Sequence, residues 1–170
     1  MSTPPGDDPD GRTVQDKEPG GEHEVPRRMS PLSGDGALAH SDVQARLPAQ
    51  DLERARRFYA EKLGLHPVEE RPGGLRYRCG STLFALFASA GRPSGQHTQM
   101  GWKVEDIDDA VAELRARVVV FEDYDLPGTT TVDGITEIEG AYPSDGGIGE
   151  RAVWFHDSEG NLLGIGQAMR

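Results

Sequence analysis

Apolar and polar positions change their period several times between Ser41 and the end of the chain. Residues 42–50, "DVQARLPAQ", alternate: Val43, Ala45 and Leu47 fall on one side, Gln44 and Arg46 on the other. That period predicts a half-buried strand. In "DLERARRFYAEKLGL", residues 51–65, Leu52, Ala55, Phe58, Tyr59 and Leu63 recur at helical spacing, with Asp51 as N-cap and Gly64 as the stop. Three strand-like runs follow, "HPVEER", "GLRYRC" and "TLFALFAS", divided by Pro-Gly-Gly and Gly-Ser turns.

The pattern then repeats. "HTQMGWKV" alternates, with Met100, Trp102 and Val104 on one face and His97, Gln99, Gly101 and Lys103 on the other. "EDIDDAVAELRAR" is a second amphipathic helix capped by Asp106, and "VVVFEDY", "RAVWFHD" and "NLLGIGQ" supply three more strands. Asp51-Leu52 matches Asp106-Ile107, and Ala55 matches Ala110, at one offset of 55 residues. Such self-similarity marks a duplicated unit. The prediction is an α+β fold of two tandem βαβββ modules, 41–90 and 96–168, whose eight strands form a curved mixed sheet around a cavity. An insertion at about 125–149, rich in Gly, Thr and acidic residues, reads as a loop that either covers a site or is a plain surface excursion. Residues 1–40 are rich in Pro, Gly and acidic residues with few large apolar side chains, and read as a disordered tail in which His23 and His40 are solvated.

If the apolar face of each first strand packs on its own helix, the opposite face is left unusually polar. Gln44 and Arg46 of one module and His97, Gln99 and Lys103 of the other then either line a shared concave ligand surface or simply face solvent. The period leaves both readings open.

Composition narrows the partners. A formal charge of -11 and a pI near 4.8 argue against nucleic acid or an anionic membrane surface, both of which need basic patches. The charge suits a neutral or cationic ligand, and solubility alone also accounts for it. No apolar run is long enough to span a bilayer, and the N-terminus shows no secretory signal, so a cytoplasmic protein is expected. Cys79 is the sole cysteine, which excludes an internal disulfide. Arg76 and Arg78 beside it could activate a thiolate, but a small strand residue is the simpler reading. No Gly-x-Ser-x-Gly, P-loop or dinucleotide-binding motif occurs.

Three stretches, "LPAQDLERARRFYAEKLGL", "WKVEDIDDAVAELRAR" and "WFHDSEGNLLGIGQ", in that order on a duplicated unit, resemble the vicinal oxygen chelate superfamily of glyoxalase, bleomycin-resistance and dioxygenase-like proteins. The resemblance covers about residues 42–168. It implies the paired βαβββ fold and, in metal-dependent members, ligands from matching strands of the two modules. Carried over position by position, those ligands fall on Gln44, Ala85, Gln99 and Gly164. Two amides without a carboxylate do not offset the dehydration of a divalent ion, and His97 is the one residue offered as compensation. His66 and His156, at strand ends, read as surface or capping residues.

The expectation is therefore a metal-free, cofactor-free protein of the bleomycin-resistance type. It binds an unidentified small molecule through Gln44, Arg46, His97 and Gln99, with Gly164 and Gly166 leaving space for it. A divalent metal in a non-standard site is the alternative, in a lyase, isomerase or dioxygenase, as is His97 acting as acid or base. A structural partner with a vestigial cavity is a third reading. The resemblance also implies a homodimer. Which face of its strand Trp154 and His156 share is left open.

Overall fold

A computed structural model describes Met1, Gly34 and residues 36–124, 129–140 and 147–170, in two units, Met1–Ser41 and Asp42–Arg170. The described part of the first unit is a 3-10 turn, Ala37–His40, so the tail expected to be disordered lies almost wholly outside the described residues.

In the second unit, β1 (Ala45–Ala49) leads into α1 (Leu52–Leu63), then β2 (Glu69–Arg71), β3 (Gly74–Cys79) and β4 (Thr82–Ala88). Asp51 caps α1 as expected, its carboxylate accepting the Arg54 N–H at 2.9 Å, and the helix turns Ala55 and Tyr59 inward. The sheet runs β1-β4-β3-β2, with β1 and β4 parallel. A parallel neighbour needs a crossover, which α1 provides. The strand starts later than its alternation suggested: Val43 lies outside it and is 92 % exposed.

The second half repeats this with β5 (Met100–Lys103), α2 (Ile107–Ala116), β6 (Phe121–Glu122), β7 (Thr130–Val132), β8 (Ile135–Glu139), β9 (Gly149–His156) and β10 (Leu162–Met169). Asp106 caps α2 through the Asp109 N–H, and β10 lies parallel to β5 and antiparallel to β9. The architecture is the expected α+β duplication, in two mixed sheets of four and six strands.

The two extra strands arise from the insertion. β7 and β8 form a hairpin across Asp133-Gly134, whose φ angles of 51° and 76° are both left-handed. Two central residues with positive φ are what a type I′ turn requires, and Asp-Gly tolerates it. β8 then pairs with the first half of β9, while β6 pairs with its second half. Part of the stretch expected to be a loop is thus sheet, and residues 125–128 and 141–146 lie outside the described residues.

Both modules feed one core. Leu47, Ala55, Tyr59, Tyr77, Phe84 and Leu86 of the first join Ile107, Val111, Val153, Phe155, Leu163 and Ile165 of the second. Each such side chain contributes roughly 1.5–3 kcal/mol on burial. Trp102 is the joint: its ring meets Phe84 edge-on at 6.1 Å, stacks with Phe155 at 6.3 Å, and its Nε1–H points to Cys79 Sγ at 3.4 Å. It packs in the core, as its strand face predicted, and Cys79 is a packing residue beside it.

Candidate functional site

Strand register defines the face opposite the core. Along β9 and β10, Gly164 pairs with Trp154, Gly166 with Ala152 and Leu162 with His156; on β5, Gly101 and Lys103 pair with Gly164 and Gly166. Phe155, Val153, Leu163 and Ile165 alternate with these and lie in the core. The far face therefore carries Glu150, Trp154 and His156 around a strip of glycine. This settles the open question about Trp154 and His156.

The strip is not vacant, contrary to the space expected there. A Cβ on Gly164 would lie 3.3 Å from Thr98 Cγ2 and 3.4 Å from Cδ1 and Nε1 of the Trp154 indole. One on Gly166 would overlap the carboxylate of Glu150, 2.8 Å from its Cδ. Tyr124 meets Trp154 edge-on, with centroids 5.4 Å apart at 90°, and so adds a second aromatic wall. His156 holds this rim together: Nδ1 is 2.8 Å from Glu122 Oε1 and Nε2 is 3.0 Å from the Gly95 carbonyl. Gly95 comes that close because it has no side chain and a φ of 66°; a Cβ there would sit 3.2 Å from the His156 ring. Carboxylate and carbonyl oxygens only accept, so both contacts are hydrogen bonds only when the imidazole is doubly protonated. The Glu122 contact, followed by the Gly95 one, raises the His156 pKa. His156 is thus a bridging residue rather than a strand-end cap.

The residues expected to bind ligand belong to several elements of the two modules. Gln44 is exposed and precedes β1. Arg46 is exposed on β1, opposite Ala85 of β4, which in turn pairs with Arg76 of β3. His97 lies in a bend before β5 rather than on the strand, exposed, with Nδ1 3.2 Å from Ser94 Oγ. Gln99 stands next to β5; its N–H donates to the Leu162 carbonyl, while its own Oε1 is buried without a hydrogen-bond partner. Among the described residues no hydrogen bond joins Gln44 or Arg46 to His97 or Gln99. His66 is exposed. Glu150, Tyr124, Glu122 and Thr98 were not singled out in the sequence, although "FEDY" and "ERAVWFH" carry Glu122, Tyr124, Glu150, Trp154 and His156 at alternate positions.

The acidic turn between β9 and β10 is structural. Asp157 accepts from the Glu159 and Asn161 N–H groups, from Asn161 Nδ2 and from the Tyr59 hydroxyl. Glu159 reaches the other module, accepting from the Gln50 and Asp51 N–H groups at 2.8 and 3.1 Å and from Arg54 Nε and Nη2 at 2.9 Å each. Burial pulls Glu159 upward, but these donors win and its pKa falls below the usual carboxylate value. Asn161 Nδ2 also donates to the Pro48 carbonyl. Elsewhere, an open groove of about 710 Å³, lined by Lys103, Glu105, Arg151, Gln167, Met169 and Arg170 among others, lies at the ends of β5 and β10. Trp154 and Gly164 take no part in it.

A family model for the Glyoxalase/Bleomycin resistance protein/Dioxygenase superfamily matches residues 37–165. The chain belongs to this superfamily. Solved structures agree on the fold. A glyoxalase/bleomycin resistance protein/dioxygenase from Alicyclobacillus acidocaldarius is 16 % identical with a TM-score of 0.59, over 77 % of this chain and 93 % of its own. An antibiotic-binding protein from a Streptomyces species is 23 % identical at 0.51, over 75 % and 96 %. A lactoylglutathione lyase from Agrobacterium tumefaciens is 19 % identical at 0.51, over 75 % and 93 %. No curated protein matches the chain in sequence.

Metal-dependent members of the superfamily raise the question of a divalent ion, and the donor set here does not fit one. Gly164 offers no donor, and its side-chain position is bounded by Trp154 and Thr98. Ala85 is apolar, Gln44 is exposed outside its strand, and His97 lies off the strand that would aim it. Among the described residues no group of three or more His, Cys, Asp and Glu is placed to hold a metal. No helix among them is long and apolar enough to cross a membrane. Superfamily members commonly bind small molecules and often form dimers.

Proposed function

We propose that this superfamily member binds a small organic molecule on the face of its second module built from Gly164, Gly166, Trp154 and Tyr124, without a metal ion. One observation carries the reading: the position from which a metal-binding carboxylate would project is a glycine against which an indole is packed. The indole and the Tyr124 ring, both only partly buried, suit a flat apolar ligand body, and a few polar groups then orient it. The unpaired Gln99 Oε1 supplies an acceptor for a ligand donor; a buried acceptor left without a partner is costly, which favours its being satisfied on binding. Arg46, His97 and Gln44, all exposed, are further polar contacts proposed in this reading. The likeness to an antibiotic-binding protein is in keeping with this role. Acid–base catalysis by His97 has less support, because among the described residues its side chain meets the Ser94 hydroxyl and no carboxylate orients the ring.

A thermal-shift screen of aromatic heterocycles and antibiotics, with a chelator present throughout, tests the proposal. Ligands that raise Tm in a concentration-dependent way are expected, with the shift lost in Trp154→Ala. Shifts that survive Trp154→Ala, or that need an added divalent metal, would overturn it.

A further inference from the structure

Glu150 stands out on the same face. It lies on β9 in the alternation of Ala152, Trp154 and His156, and its carboxylate rests on the bare backbone of Gly166. It is half-buried, yet among the described residues its carboxylate has no hydrogen bond and no ion pair. The carboxylates at the other end of the strand are committed instead: Glu122 to His156, Asp157 to Tyr59 and Asn161, Glu159 to Arg54. Lys103 is opposite Gly166 on β5. Burial raises the Glu150 pKa, and no neighbouring charge offsets that rise. An anion held out of water without a partner is an unfinished pair.

Its surroundings indicate what completes the pair. Gly164 and Gly166 are two apart on one strand face, so the Trp154 edge and the Glu150 carboxylate lie over backbone positions about 7 Å apart. Tyr124 packs edge-on with the indole. An unpartnered carboxylate on the same strand face as an indole suits an organic cation, whose charge it meets in a charge-assisted hydrogen bond while the aromatic surface takes the apolar body. A metal ion is the wrong occupant, since a single carboxylate lacks the further donors that it needs.

We propose that Glu150, seated on Gly166 beside Trp154, is the specificity-determining residue of this face, and that the group it selects is an ammonium, amidinium or guanidinium carried on a flat apolar body. This rests on the small-molecule reading above and adds the charge of the ligand. Gly166 is a positioning residue, because any side chain there displaces the carboxylate.

The test uses the full chain in calorimetric titration with three probes of one shape: 2-naphthylmethylammonium, 2-naphthylmethanol and 2-naphthoate. The ammonium is expected to bind at least about tenfold more tightly than the alcohol, and the carboxylate more weakly than either. Glu150→Gln should bring the ammonium down to the level of the alcohol and leave the alcohol unchanged. Gly166→Ala, which alters no charge, should have the same effect; if it unfolds the chain, the nearly isosteric Glu150→Gln still decides. Equal affinity for ammonium and alcohol, or a preference that persists in Glu150→Gln, overturns the inference and leaves the small-molecule reading standing if the alcohol binds in a Trp154-dependent way. Failure of all three probes to bind also overturns it, while the separate thermal-shift screen still decides the broader reading.

Discussion

Single residues set the chemistry of the face. Gly164 brings the backbone of β10 into contact with Trp154 and Thr98, where a longer side chain would have to push both aside. That a donor was missing at this position could be read from the chain, because the turn "DSEGN" fixes the count to Gly164. What fills the place could not, because it depends on the β9–β10 register and on rotamers of residues ten or more positions away. His156 illustrates the same limit: its partners, Glu122 and Gly95, are 34 and 61 residues distant. The pair has a pH consequence. Its folded pKa is raised, so the stability it contributes is fully present below the unfolded value, about 6.5, and is lost as pH rises through the folded value. Urea unfolding from about pH 5.5 to 8.5 should show stability falling across that window more steeply in the native chain than in His156→Gln. Equal slopes would show that the two contacts do not depend on the proton.

At the scale of elements, the helices were legible because three independent signals agreed: a polar cap, a period near 3.6 and a stop. The β7–β8 hairpin went unread although Asp133-Gly134 between alternating residues announces it, because the glycine- and threonine-rich composition around it suggested a loop. The β9–β10 turn was recognised by its sequence, and the structure supplies its physical purpose. Glu159, its side chain fully buried, gathers two backbone N–H groups at the entry to α1 and the Arg54 guanidinium, tying module two to module one. Arg54 is half exposed, which weakens the ionic part of the contact. Glu159→Gln removes the charge and turns an amide toward donors, and is expected to lower stability by about 2 kcal/mol. Asp51→Asn, which keeps a cap of similar quality, serves as the comparison. A Glu159→Gln loss no larger than that of Asp51→Asn in denaturant midpoints would show that the turn does not join the modules.

For the molecule as a whole, duplication was visible in the sequence as a constant offset, and the two sheets follow from it. The merging of both apolar faces into one core around Trp102 was not, since strand alternation says which side of a strand is apolar but not what lies against it. The first strands differ from their alternation for a related reason: β1 and β5 are shorter than it suggested, leaving Gln44, His97 and Gln99 outside them. The face proposed to bind ligand is built instead from β6, β9 and β10, where glycine and tryptophan stand opposite each other. Fold-level likeness to both an antibiotic-binding protein and a lyase leaves the activity to these residues. The central claim is that the scaffold is kept while its metal chemistry is not. Elemental analysis of the chain purified without chelator and then dialysed against zinc, nickel, iron(II) and manganese tests it most directly. The account predicts substoichiometric metal in every case, unchanged in His97→Ala; one tightly held ion per chain, lost in His97→Ala, would contradict it.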